Sequence, residues 1–203
     1  MEMDGNTDVH CPAAWPEELP PAGAEGCPDC GLIRHGTRMV WGEGNPNAPI
    51  MVVLDNPGSR EDREGRPFVC GTRKTLQKAA QLAGLGQEDL YVTYVLKRQP
   101  KKAYEKVVAR SICMKHLLDQ IESKSPQFIF CLGNVAVQSF FEQGEAEVKR
   151  LRKAWHAPRG IPTAVSYHPL AINRRPNLWP SFLEDWQFLA AAYRGEQVSL
   201  PEI

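Results

Sequence analysis

The fold is decided by a short apolar run that ends in polar and turn-forming residues, Ile50-Met51-Val52-Val53-Leu54-Asp55-Asn56-Pro57-Gly58. Five apolar residues in succession, bounded by Pro49 and by the Pro-Gly turn, predict a strand that is buried on both faces. Open α/β sheets bind their ligands at the carboxyl ends of such strands. We therefore expect Asp55 and Asn56 to lie in a ligand-binding cleft at the edge of a sheet.

The rest of the chain alternates predicted helices with predicted strands. Further strands are predicted at 91–96, 127–132 and 161–167, and helices at 72–83, 103–123, 135–141 and 179–193. This alternation is typical of an α/β fold with a parallel sheet, in which right-handed crossovers bring the strand ends to one edge.

Composition and segment boundaries limit the classes of protein that this chain can represent. Lys plus Arg and Asp plus Glu number 24 each, so no global field indicates a polyanionic partner. We expect no membrane span, since no apolar run is long enough, and a cytoplasmic location, since no signal-peptide pattern opens the chain. Residues 1–26, rich in proline and glycine, predict a flexible or loosely docked extension, followed by a domain at 27–195 and a tail at 196–203.

Two of the predicted strand ends carry groups that suit catalysis. Asp55 could act as a base or hold a water, and Asn56 could orient a water through its carbonyl oxygen, although Asp-Asn-Pro-Gly also suits a simple turn. His168, which ends the last predicted strand, could donate a hydrogen bond to a leaving group, or it could be a capping or core histidine. Two such motifs at equivalent strand ends favour a shared cleft.

The cysteines and basic residues allow a metal site and phosphate contacts. Cys27 and Cys30 have the spacing of half a metal site, and Cys113 is a plausible third ligand with no evident fourth. Basic residues that include Lys97 and Arg174 flank the proposed cleft and could contact phosphates, although solvated surface charge is the alternative for each of them.

The order and spacing of these motifs resemble the uracil-DNA glycosylase superfamily, most closely its iron-sulfur class, often called family 4. The likeness covers about residues 27–193 and rests on Cys27-x2-Cys30, Gly42-Glu43-Gly44-Asn45-Pro46, Pro57-Gly58, Gly65-Arg66-Pro67-Phe68, Leu132-Gly133 and Tyr167-His168-Pro169. The resemblance implies a three-layer α/β/α sandwich around a four-stranded parallel sheet. It also implies an enzyme that flips a pyrimidine out of DNA and hydrolyses its N-glycosidic bond with water, leaving an abasic site.

The same resemblance implies roles for individual residues. Phe68 is expected to stack on the flipped base beside the Gly58 turn, and His168 to stabilise the departing base. The loop after His168, with Leu170, Ile172 and Asn173, resembles a wedge pressed into the DNA minor groove. Arg174 and Lys97 are the expected phosphate contacts. DNA is the expected partner of a monomeric chain that needs no nucleotide cofactor.

The chain departs from the family pattern at its active-site motifs. Leu54-Asp55-Asn56 stands where the iron-sulfur class has Gly-Glu-Ala, so either Asp55 or Asn56 could position the water. Tyr94 stands where uracil-cleaving relatives carry an asparagine that contacts the base, and a phenol cannot reproduce a donor–acceptor amide pair. The substrate could therefore be uracil or a modified pyrimidine, such as a hypermodified phage base attacked in a defence role.

A further departure concerns the metal. Arg98 falls near the position where the second pair of cluster cysteines begins, so the expected cofactor is a 4Fe-4S cluster, a zinc ion or none. Two alternatives to the hydrolytic enzyme also remain open: a non-catalytic module that binds damaged or abasic DNA, and a covalent trap in which a side chain attacks the sugar.

Overall fold

One sheet of six strands organises the described part of the chain. The computed structural model describes residues 13–58 and 71–196. The strands are β1 (Glu17–Glu18), β2 (Gly42–Gly44), β3 (Ile50–Leu54), β4 (Leu90–Tyr94), β5 (Phe128–Leu132) and β6 (Thr163–Ser166), in the spatial order β1-β2-β4-β3-β5-β6.

The four strands predicted from apolar runs form the parallel part of this sheet, but the sheet is not four-stranded. β4, β3, β5 and β6 pair in parallel, while β2 joins β4 and β1 joins β2 in antiparallel fashion. The two additional strands are two and three residues long and contain only glutamate and glycine. Backbone hydrogen bonds to the neighbouring strands hold them in the sheet. Their sequences therefore lack the alternation of apolar residues from which a strand is predicted.

Helices pack on both faces of the sheet. One face is covered by α1 (Gly71–Leu82), α5 (Pro169–Arg174) and α6 (Trp179–Tyr193), and the other by α2 (Lys106–Lys124), α3 (Asn134–Phe141) and α4 (Val148–Leu151). Short 3-10 turns lie at Leu32–His35, Gln87–Asp89 and Pro176–Leu178. None of these helices, within the described part of the chain, has the length and apolar character that a membrane crossing requires.

The opening apolar run accounts for this layered core. Every residue of β3 is buried. Because successive side chains of a strand point to opposite faces, Ile50 and Leu54 pack with the α1 and α6 helices, and Met51 and Val53 pack with α2 and α3. A strand covered on both faces therefore needs apolar residues at every position.

The segment that precedes Cys27 is docked more closely than its composition indicates. Trp15 is buried in the core, and residues 17–18 extend the sheet. The backbone of Ala13 exchanges two hydrogen bonds with the side-chain amide of Gln77 on α1, at 2.9 and 2.7 Å. Residues 13–26 are thus attached to the domain by an aromatic side chain, by backbone pairing and by ion pairs of Glu17 with Arg38 and of Glu18 with Lys124. Such contacts leave no periodic signal in a proline-rich sequence.

Candidate active site

Asp55 and His168 meet at the carboxyl edge of the sheet. Asp55 follows β3 and His168 lies two residues after β6, and the intervening β5 pairs with both strands in parallel register. The Nε2 atom of His168 lies 3.3 Å from Oδ1 of Asp55, and their side chains are 22% and 34% exposed. The structure therefore brings two of the predicted catalytic residues, Asp55 and His168, together at a solvent-accessible edge of the sheet, which we name the cleft.

The local backbone fixes the orientation and the tautomer of His168. This residue is the N-cap of α5, and its Nδ1 accepts a hydrogen bond from the backbone N–H of Leu170 at 3.0 Å. A neutral imidazole that accepts at Nδ1 carries its proton on Nε2, so the N–H bond faces Asp55. Gly133 lies directly beneath, at φ +92°, and a Cβ atom there would approach the Cβ of His168 to 2.9 Å.

Asp55 is placed as an ionised carboxylate. Burial alone would raise its pKa, but the hydrogen bond from His168 and the backbone N–H of Asn56 outweigh burial and lower the pKa below its ordinary value. The Asn56 N–H donates to Oδ1 at 2.8 Å. Asp55 can therefore face a developing positive charge at neutral pH.

Asn56 is oriented by its own turn. Its Nδ2 donates to the carbonyl oxygen of Pro57 at 2.8 Å, so the donor end of the amide is committed to the backbone. The acceptor end, Oδ1, is the end that can hold a water molecule. Gly58, also predicted to border the base, is half-buried immediately after this turn. Phe68 lies outside the described residues.

Tyr94 belongs to a buried polar group rather than presenting a solvent-exposed hydroxyl. Its oxygen accepts a hydrogen bond from Nη2 of Arg73 at 2.7 Å, and Nε of Arg73 lies 2.5 Å from Oε1 of Glu43. All three side chains are buried. Arg73 and Glu43 were not predicted as site residues, because a single arginine on a helix is usually a surface charge. Their proximity to a strand end becomes apparent only in the tertiary structure.

The residues expected to contact DNA divide into exposed and buried groups. Leu170, 40% exposed, lies in the first turn of α5, and Arg174 is exposed at its last turn. Asn173 is exposed, but its Oδ1 accepts a hydrogen bond from Thr75 Oγ1 at 2.5 Å, which attaches α5 to α1. Ile172 is only 4% exposed and packs in the core, so it cannot form part of a wedge.

Lys97 is fully buried, and this burial is incompatible with the predicted phosphate contact. Its Nζ donates to the side-chain oxygens of Thr93 and Gln120 and to the carbonyl of Tyr94, at 2.6, 2.5 and 2.8 Å. Burial lowers the pKa of Lys97 to about 7. The chain turns the side chain inward after β4, which a count of basic residues cannot reveal.

The predicted metal ligands do not form a cluster site in the described part of the chain. The Cys113 thiol donates to Cys30 Sγ at 3.8 Å, and Cys27 lies in the same segment as Cys30. Near these thiols, the buried guanidinium of Arg98 donates to the carbonyl oxygens of Thr37 and Glu25. A guanidinium has no lone pair to offer a metal, whereas a 4Fe-4S cluster needs four thiolates.

The other described donors do not complete the site. In residues 13–58 and 71–196, no three His, Cys, Asp or Glu side chains are arranged to hold a metal ion. Cys131 is buried inside β5, and Cys11 and Cys70 lie outside the described residues. The described residues therefore fit neither the cluster nor a zinc ion. The hydrogen bond from Cys113 lowers the pKa of Cys30 to about 6, against the opposing effect of burial.

Comparison with known proteins gives the same family as the sequence motifs. The family described as the Uracil DNA glycosylase superfamily matches residues 41–191. Three similar proteins, each named Type-4 uracil-DNA glycosylase, come from Archaeoglobus fulgidus (32% identity over 169 residues), Sulfurisphaera tokodaii (33% over 170) and Thermotoga maritima (33% over 166). The alignments cover 79%, 79% and 78% of this chain and 85%, 77% and 85% of the relatives.

Proposed function

The chain belongs to the uracil-DNA glycosylase superfamily and is a DNA N-glycosylase, and from this premise we propose that it removes uracil from DNA by hydrolysis at the Asp55–His168 edge. The name shared by its relatives supports uracil as the base. The observation that carries the proposal is the 3.3 Å approach of an imidazole N–H to a carboxylate at the ends of β6 and β3. These are the groups that cleavage of a base–sugar bond requires on its two sides.

The chemistry follows from how charge develops in the reaction. As the bond between C1′ and the base nitrogen lengthens, the sugar gains positive charge and the base gains negative charge. The ionised carboxylate of Asp55 would face the sugar and, with Oδ1 of Asn56, hold the water that bonds to C1′. The water loses a proton to the carboxylate or to solvent, and the base leaves as an anion.

His168 would stabilise that anion as a neutral hydrogen-bond donor. Its Nδ1 is committed to the Leu170 N–H, so protonating the ring at Nδ1 would break the α5 cap. The Nε2–H is the group that can turn from Asp55 to a carbonyl oxygen of the base. A contact of 3.3 Å in the free enzyme is long enough to be exchanged for a shorter bond to the substrate.

We assign the DNA contacts to the exposed residues of α5. Leu170 would press between bases to hold the target nucleotide out of the stack, which costs a few kcal/mol of unstacking. Arg174, one helix length further on, would contact a phosphate. Ile172 and Lys97 are buried and have no part in this contact.

A modified pyrimidine is the second candidate substrate, and Tyr94 is the observation that favours it. Its hydroxyl is engaged by Arg73, so it offers no amide-like donor and acceptor to the edge of uracil. A hypermodified base of phage DNA, removed in a defence role, would need a differently shaped pocket. Retained activity on uracil in Tyr94→Ala, equal to the wild-type rate, would argue against this candidate.

The test is base release from a panel of oligonucleotides. Single- and double-stranded substrates would carry uracil, thymine mispaired with guanine, hydroxymethylcytosine or glucosylated hydroxymethylcytosine, and abasic sites would be revealed by alkaline cleavage. We expect release of uracil, slowed at least about 10²-fold by Asp55→Ala or His168→Ala and unchanged by the control Asp119→Ala on α2. Absence of release from every substrate would instead support a module that only binds damaged or abasic DNA.

A further inference from the structure

Cys30 and Cys113 lie close together in the corner of the molecule where a metal cluster does not fit. Cys30 is half-buried in the turn before the 3-10 segment Leu32–His35, and Cys113 is buried in α2. Their sulfur atoms are 3.8 Å apart. Because a disulfide bond is about 2.05 Å long, its formation needs the sulfurs to close by less than about 2 Å.

Polar contacts attach the chain to the domain on both sides of the thiol pair. Arg98, beyond the end of β4, donates to the carbonyl oxygens of Glu25 and Thr37, which lie on either side of Cys30 in the chain. Asp29, next to Cys30, pairs with Lys115, two residues after Cys113 on α2. These contacts attach the segment to the domain on both sides of the thiol pair, so the proximity of the sulfurs is a consequence of the fold.

Only one of the two thiols borders open space. A cavity of about 740 Å3 opens beside the segment and is lined by Cys30, Arg34, His35, Tyr104 and Val108, among others. Cys113 is not among its lining residues and packs against Leu32 and Leu96. A small oxidant can therefore reach Cys30 first, and Cys113 only through it.

We propose that Cys30 and Cys113 are a redox pair, which a hydroperoxide converts to an intramolecular disulfide joining the N-terminal segment to α2. The thiolate of Cys30 attacks the peroxide O–O bond, giving a sulfenic acid and, after protonation, an alcohol or water. The thiol of Cys113 then attacks that sulfur and displaces water. Two thiols lose two electrons in all, and the peroxide is reduced.

The thiol pair includes neither Asp55 nor His168, so its test does not depend on the proposed substrate. The full-length protein, purified under reducing conditions, would be treated with hydrogen peroxide, alkylated and digested for mass spectrometry. We expect a Cys30–Cys113 cross-linked peptide, loss of two free thiols per chain, and full reversal by dithiothreitol. Since a disulfide restricts the unfolded chain, the oxidised form should also melt at a higher temperature.

Cysteine variants identify the pair. Cys113→Ala and Cys30→Ser should each abolish the cross-link. Because Cys113 is buried in α2 and its replacement could impair folding, Cys30→Ser at the half-buried position provides an independent test. Cys27→Ser, Cys11→Ser and Cys70→Ser should leave the cross-link unchanged. A Cys27–Cys30 disulfide, oxidation of Cys30 to sulfinic acid without a cross-link, or a full complement of iron and sulfide in protein purified without oxygen would each overturn the proposal.

Discussion

Two sites were predicted from the sequence, and the structure brings their residues together to different degrees. One is the cleft at the ends of β3 and β6, and the other is the corner formed by Cys30, Cys113 and Arg98. In the cleft, two side chains from distant parts of the sequence meet at 3.3 Å. In the corner, two thiols approach each other but a guanidinium takes the place where a further ligand was sought. The backbone hydrogen bonds of a parallel sheet fix the positions of residues at its strand ends. The position of a loop residue instead depends on the side chains and backbone that pack around it.

The two sites should also differ in whether a substitution changes the reaction rate or the free energy of unfolding. Asp55 and His168 are partly exposed and are proposed to act in the transition state, so their replacement should affect rate more than stability. The residues around the corner, including Arg98 and Lys97, are buried and polar, so their replacement should affect stability more than rate.

Removal of the Asp55 carboxylate should give the largest change. We expect Asp55→Ala to lower the single-turnover rate of base release by about 10²–10⁴-fold, since a group of this kind acts mainly in the transition state. Asp55→Asn keeps the shape without the charge and should be nearly as slow. Asn56→Ala, measured in parallel, identifies the residue that positions the water. A larger loss from Asn56→Ala than from Asp55→Ala would assign that role to Asn56.

Arg98→Ala should cost about 3 kcal/mol of unfolding free energy while leaving the chemical step nearly unchanged. The substitution leaves the carbonyl oxygens of the buried Thr37 and of Glu25 without their charged donor, and it removes a buried guanidinium from the packing. Urea denaturation of both proteins measures the difference. The matched control is Arg150→Ala, an exposed arginine with one surface ion pair, which should change stability by less than about 0.5 kcal/mol. Equal effects of the two variants would contradict the bridging role of Arg98.

Lys97 should make stability rise with pH above neutrality. Its pKa is about 7 in the folded protein, whereas the ordinary pKa of a lysine is 10.5, so between these values the unfolded chain binds the additional proton. The burial cost is therefore fully present below pH 7 and is relieved as pH rises, by about 2 kcal/mol between pH 7 and pH 9.

Lys97→Met should flatten that pH dependence. Denaturation curves at pH 7, 8 and 9 give the slope for each protein, and subtracting the two removes the contribution of Cys30, whose pKa is also lowered in the folded protein. Parallel slopes for wild type and Lys97→Met would show that the lysine does not change protonation in this range.

Leu170→Ala should have the smallest effect, a loss of less than about tenfold in base release from duplex DNA. Single-stranded substrates should be nearly unaffected, because only the duplex requires a base to be unstacked and held out. Leu82→Ala, at another exposed leucine, on α1, is the control. A similar loss on both forms of DNA would assign Leu170 to the stability of α5 instead of to the wedge.

Much of the fold was predictable because burial on two faces leaves a strong signal. The apolar runs ending at Leu54 and Leu132 correspond to β3 and β5, and the closing helix was predicted at its observed bounds, 179–193. The convergence of Asp55 and His168 follows from the rule that parallel strands share a carboxyl edge. The strands β1 and β2 were missed, since backbone pairing between Glu and Gly residues is independent of side-chain pattern.

The sequence by itself determined the α/β architecture, the edge on which Asp55 and His168 lie and the family, because these depend on periodicity and on the order of motifs. Only the tertiary structure decided the direction of single side chains. In the folded protein Lys97 and Ile172 are buried, and Arg73 donates a hydrogen bond to Tyr94. Arg98 lies near the thiols and donates to the carbonyl oxygen of Glu25. A charged or polar residue takes its direction from the hydrogen-bond partners that folding brings within reach, and these lie far away in the chain.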